Sequence, residues 1–159
     1  MLTPDMKIPE VSGLGSEPSQ TTARSSSEPA HYILGRTSTG GVFSFVEEQQ
    51  GEQTDGEKLT IVYVLSQGSL DAVEQIYINE EPMENFGDLI SYEIVTNPTT
   101  VNAYLLANCS GWKDTMIGKG MTWVRVTYTY DAEKFGSGVP SFRAVVRGIN
   151  SIYDPRTVN

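Results

Sequence analysis

Residues Gly120 to Thr157 read GMTWVRVTYTYDAEKFGSGVPSFRAVVRGINSIYDPRT, and this stretch decides the fold class. From Trp123 to Tyr130 nearly every residue is β-branched or aromatic, the types that suit a pleated, half-buried surface. Alternation assigns Val124, Val126, Tyr128 and Tyr130 to one face and Arg125, Thr127 and Thr129 to the other. Gly136-Ser137-Gly138 and Pro140 interrupt the run, because glycine admits positive φ and proline lacks a backbone donor. Phe142, Ala144 and Val146 then alternate with Arg143, Val145 and Arg147. The stretch predicts a long strand, an irregular connection and a second strand, the two strands being antiparallel neighbours.

Upstream the pattern continues. His31–Arg36 and Val42–Glu47 read as two strands joined at Gly40-Gly41, a hairpin by their spacing. Leu59–Ser66 (LTIVYVLS) is too continuously apolar for a surface strand and is expected to be buried on both faces. Ala72–Asn79 places Ile76 and Ile78 opposite Tyr77, Glu80-Glu81-Pro82 turns the chain, and Tyr92–Thr96 is a short strand stopped at Asn97-Pro98. Thr99–Asn108 is the helix candidate: Val101, Leu105 and Asn108 fall on one stripe, Thr99 or Thr100 caps it and Gly111 stops it. The expected fold is therefore mainly β, an antiparallel sandwich or barrel-like domain with one short helix at about residues 99–109.

Length and composition agree with one domain and an appendage. The chain has 159 residues, within the size of a single domain, and its 38% hydrophobic content suits a globular unit carrying a polar tail. Residues 1–28 are rich in Ser, Thr, Pro, Gly and Glu, and bury too little to offset the entropy of ordering them. They are expected to form a disordered arm, with the β-rich domain spanning 29–159. The formal charge is −9, split as −12 over residues 1–100 and +3 over 101–159. An acidic chain repels phosphate backbones, which argues against nucleic-acid binding. The lone cysteine, Cys109, permits no internal disulfide, which favours folding in a reducing compartment. No apolar run approaches the ~18 residues of a membrane span, and no secretory signal is legible.

The candidate chemistry is sparse. His31 is the only histidine and opens a strand, so a structural or exposed role is expected. Cys109 ends the helix and reads as a packed small residue; a pair with His31 requires the two to meet in space. Glu47, Glu48, Glu52, Asp55 and Glu57 lack the ligand spacing of a calcium loop. Gly35–Gly41 (GRTSTGG) lacks both the Gly-Lys-Ser/Thr ending and the following helix of a phosphate loop. Trp112 and Trp123 read as core, the alternative being a sugar platform. Asp154 and Arg156 read as a turn whose arginine bridges neighbours. No catalytic, metal or cofactor residue is assigned, and no enzyme activity is expected.

Four segments together resemble the tail-tip, or central-hub, proteins of long-tailed phages. They are Arg24–Pro29 with Tyr32–Arg36 and Gly40-Gly41; Val62–Leu65 with Asp71–Glu80; Gly111-Trp112 leading to Gly120; and Phe135–Thr157 with Gly138, Pro140, Ala144–Gly148 and Tyr153–Thr157. The likeness spans about residues 24–157 and implies one internal domain of a longer hub protein. It implies a β-rich domain of a trimeric hub at the distal end of the tail tube, in a phage or prophage particle made in the bacterial cytoplasm. The implied partners are other tail-tip subunits, distal tail proteins and the tape measure, and no catalysis is implied. Two other readings stand beside it. A carbohydrate-binding β-sandwich requires exposed coplanar aromatics from Trp112, Trp123 and tyrosines. A wall-degrading hydrolase requires a cleft where His31, Cys109 or paired carboxylates converge.

Overall fold

A computed structural model describes residues 30–49, 56–136 and 138–148. The expected arm at 1–28, most of the acidic loop at 50–55 and the Asp154–Thr157 motif lie outside these residues. The described chain contains eight strands: β1 (Arg36–Thr39), β2 (Val42–Gln49), β3 (Lys58–Gln67), β4 (Ala72–Ile78), β5 (Glu81–Pro82), β6 (Ile90–Thr96), β7 (Met121–Thr129) and β8 (Phe142–Arg147). They form two four-stranded antiparallel sheets, β2-β3-β7-β6 and β1-β8-β4-β5. The first is called sheet A and the second sheet C. The fold is a mainly β sandwich, as the sequence predicts.

The main core lies between the sheets. Sheet A contributes Ile61, Tyr63, Val124, Val126 and Tyr128; sheet C contributes Ile76, Ile78, Phe142, Ala144 and Val146. Tyr63 stacks on Phe142 across the layer, with ring centroids 3.9 Å apart. Strand β3 is buried from Thr60 to Ser66, so its continuous apolar run reflects cover on both faces. The second cover is a separate core on the outer side of sheet A. There Val62, Val64 and Trp123 pack against Leu105, Cys109 and Trp112.

The helix that supplies part of this cover, α1, spans Ala103–Asn108 and is shorter than the predicted 99–109. Asn102 caps it in place of Thr99 or Thr100, its side chain accepting from the Leu105 N–H at 2.9 Å. The chain leaves the helix at Cys109, before Gly111. A 3₁₀ segment at Met83–Leu89, broken by Gly87 at φ 53°, and a four-residue helix α2 (Ala132–Phe135) complete the structure. Neither is foreseen by periodicity, since both are too short to express one.

Two predicted pairings are corrected. Strands β7 and β8 are not neighbours: β7 lies in sheet A between β3 and β6, and β8 in sheet C between β1 and β4. The connection between them contains α2, capped by Asp131, whose carboxylate accepts from the Glu133 and Lys134 N–H groups. Its Phe135 is buried against Phe86 and Tyr128, so this connection crosses from one layer to the other. Likewise His31–Arg36 and Val42–Glu47 are not a hairpin: the first strand lies later, at Arg36–Thr39, on residues that read as the turn, and it pairs with β8 while β2 pairs with β3. The chain changes sheets at Gly40-Gly41. Gly41 has φ 66°, and a Cβ there would lie 3.1 Å from the Tyr63 Cβ, so glycine serves both the turn and the close approach. Strands that switch layers in this way form the corners of a sandwich.

Candidate interaction surfaces

Among the described residues, those singled out for chemistry do not converge. His31 is exposed, and its carbonyl accepts from the Gln67 N–H at 2.9 Å. Cys109 is buried in the outer core, where burial pushes its thiol up from the ordinary value. Gly35–Gly41 is strand β1 and the sheet-switching corner, followed by β2. Among the described residues no group of three or more His, Cys, Asp or Glu side chains could hold a metal ion.

Trp112 and Trp123 are core residues, 8% and 2% exposed. Their rings lie 6.0 Å apart at 44°, and Phe45 meets Trp112 edge-on at 5.1 Å. They are neither exposed nor coplanar, which takes the two tryptophans out of the platform that a carbohydrate-binding reading draws from them and the tyrosines. Among the described residues neither buried indole N–H has a hydrogen-bond partner.

The polar side chains build three devices. The first is a latch. Glu47 on β2 faces the loop after α1 and accepts from the Ser110 N–H (2.8 Å), the Ser110 hydroxyl (3.2 Å) and the Gly111 N–H (2.8 Å). The Gly111 bond chiefly holds its carboxyl below the ordinary value of 4.5, with burial opposing and the Ser110 bonds assisting. A Cβ at Gly111 would lie 2.9 Å from the Glu47 Oε2. Glycine is thus what lets the carboxylate reach the backbone.

The second device surrounds Arg125, a buried cation on the outer face of sheet A. Its guanidinium lies 3.8 Å from the Tyr104 ring centroid and donates to Thr127 Oγ1 at 2.9 Å. Glu93 on β6 sits 3.6 Å from its Nε and accepts from the Asn102 side chain at 3.0 Å. A cation under a helix is tolerable here because the tyrosine face, the hydroxyls and the carboxylate replace much of its hydration, although its Nε is buried with no hydrogen-bond partner among the described residues. The third device covers the outer face of sheet C. Arg143 sits over the Tyr77 ring at 4.0 Å and pairs with Glu80 at 3.1 Å, while Arg36 and Arg147 converge on Glu74.

Sequence reasoning passes over Glu47 and Arg125. Arg125 appears there only as a polar member of an alternating strand. Its burial is knowable only once α1 is placed over β7. Glu47 reads as the first carboxylate of a solvated loop, although its position within a strand and a glycine 64 residues on are both legible.

Apolar side chains also reach the surface. Tyr92 and Ile94 on β6 are 48% and 40% exposed, and Tyr32, Leu34, Val46 and Val139 are exposed elsewhere. An open cleft lies between the β2–β3 end and the connection after α2, lined by Leu59, Tyr130, Phe135, Val139 and Pro140 and rimmed by Glu48 and Lys58. No helix among the described residues is long and apolar enough to cross a membrane.

The geometry defines a two-sheet antiparallel β domain whose polar groups latch and cross-brace its own layers. No protein-family model matches the chain, and no curated protein does. A solved chain in the virion of a native gene transfer agent particle matches with a TM-score of 0.59 and 15% identity, covering 88% of this chain and 32% of its own. At that identity the likeness is one of fold. The present chain spans about a third of that chain's length.

Proposed function

We propose that this chain is a structural component of a phage or prophage tail tip, a hub domain at the distal end of the tail tube. The observation that carries this reading is the fold held in common with a virion chain over 88% of the present chain. The ordered sequence resemblance to central-hub proteins supplies the finer location. In this reading the domain is not an enzyme and works through its surfaces. Its partners are other tail-tip subunits in a trimeric hub, distal tail proteins and the tape measure, and it takes part in tail assembly, host attachment and DNA delivery. The placement of Trp112 and Trp123 in the core gives the carbohydrate-binding alternative no specific support.

The test is genetic and biochemical. Particles induced from the strain carrying the gene are purified by density gradient and probed with an antibody to the domain. Co-fractionation with particles, together with loss of complete tails on deletion of the gene, is the expected result. Complete, infective or transducing particles from the deletion strain would overturn the proposal.

A further inference from the structure

The four sheet edges are treated differently, and the difference assigns one of them a role. An open edge strand is a template for another chain, and folds blunt such edges with short length, proline, bulges or charge. Edge β1 has four residues and carries Arg36; edge β5 has two and contains Pro82. Edge β2 is long, but its register with β3 shifts between Phe43 and Phe45, and it carries Glu47 and Glu48. Edge β6 is neither short, nor interrupted by proline, nor shifted in register. It runs seven residues, ISYEIVT, and pairs with β7 residue for residue from Ile90 to Thr96 without a shift. It has no proline and no lysine, and Glu93 is its single charge. Among the described residues its only strand partner is β7.

The side chains of β6 point the same way. Residues opposite the core positions Val124 and Val126 of β7 are Ile94 and Tyr92, so both face the side of sheet A that carries the main core. Yet both are exposed, which places them beyond the cover that sheet C provides. We infer that β6 accepts a strand from another protein, an extended segment that extends sheet A by one strand. The chemistry of that segment follows from the edge. Alternate residues fall beside Tyr92 and Ile94 and must be apolar. On the other face the added strand passes Glu93, which already faces Arg125 at 3.6 Å and accepts from Asn102 but whose side chain is still 44% exposed, so a lysine or arginine there meets its solvent side. A second copy of this chain is the poorer occupant. Antiparallel self-pairing over all seven residues centres on Glu93 and sets the two carboxylates directly opposite, in a chain of net charge −9.

The test uses the whole chain and two acetylated nine-residue peptides. Each has valine at even positions and threonine at odd positions, with lysine at position five in one and glutamate in the other. Binding is read by fluorescence anisotropy, and the site by amide chemical shifts. The expected result is shifts confined to Ile90–Thr96 and their neighbours on β7, with the lysine peptide preferred roughly fivefold. Tyr92→Lys with Ile94→Lys abolishes binding, and Glu93→Gln keeps binding but loses the preference. Unchanged circular dichroism of both variants shows that the fold survives. No binding, equal binding of the two peptides, or shifts on another edge would overturn the inference. So would sedimentation of the wild type as a dimer that the Tyr92/Ile94 variant dissolves, since that assigns the edge to a second copy.

Discussion

Replacing Glu47 by glutamine tests the latch between sheet A and the loop that follows α1. The carboxylate accepts from two backbone N–H groups and one hydroxyl, at 2.8, 2.8 and 3.2 Å. A glutamine amide presents one oxygen in place of two, and its NH2 then opposes a backbone donor. A hydrogen bond to a charged group contributes about 1.5–3 kcal/mol when desolvated. Glu47 is half-buried, so solvent screening reduces this, and the expected loss is about 1–2 kcal/mol. For a domain of this size that is a fall in Tm of roughly 3–8 °C. The effect also depends on pH with a definite sign. The native carboxyl is held below its unfolded value of 4.5, so the latch contributes fully above that value and is lost as pH falls through the native value. Urea unfolding of wild type and Glu47→Gln should therefore differ by a constant amount from pH 7 down to about pH 5.5, and the two should converge as the pH drops below 4.5. A difference that is absent at pH 7, or that persists unchanged at the acid end, would refute the assignment of the latch to the ionised carboxylate.

Two further outcomes follow from the core and its turns. Gly118 and Gly120 both have φ 75°, but a Cβ at Gly118 would lie 2.5 Å from the Trp123 Nε1, whereas Gly120 faces open space. Gly120→Ala should cost only the backbone term, about 1 kcal/mol, and Gly118→Ala at least about 1 kcal/mol more, both read by chemical denaturation. Burial, with Tyr63 adding to it, raises the Tyr128 hydroxyl well above its ordinary value of 10. Below that value its neutral form is fully compatible with the fold, and stability is lost as pH climbs above it, so absorbance at 295 nm should show Tyr128 ionising only as the protein unfolds.

The longer strands were readable because each carries its own periodicity, whereas β1 and β5, at four and two residues, lie on stretches that read as turns. The continuous run of β3 announced a strand with two covered faces, and Ile76 and Ile78 announced the inward side of β4. Partnership was not readable. Alternation states which face of β7 is apolar, yet the same alternation would serve beside β8 or beside β3. The choice rests on long-range contacts, such as Phe135 on Phe86 and Tyr63 on Phe142. The spacing of β1 and β2 invites a hairpin, and only the tight approach of Gly41 to Tyr63 shows why the chain turns into the other sheet. Helix α1 was located but not delimited: of the stripe Val101, Leu105 and Asn108 only Leu105 is a buried helical residue, and the cap was missed because Asn102, Thr99 and Thr100 are all competent cap residues. The surfaces follow the same rule. Glu93 and Tyr92 are ordinary strand residues in sequence, and their meaning arises only from an edge that is long and regular where the others are short or shifted in register.

The tail-tip reading is tested most directly by seeing where the domain sits. Particles from the producing strain, decorated with gold-labelled antibody to residues 30–148 and imaged by electron microscopy, should carry label at one pole, at the end of the tail distal to the capsid. Label spread over the capsid or along the tail shaft, or particles that carry none, would contradict it.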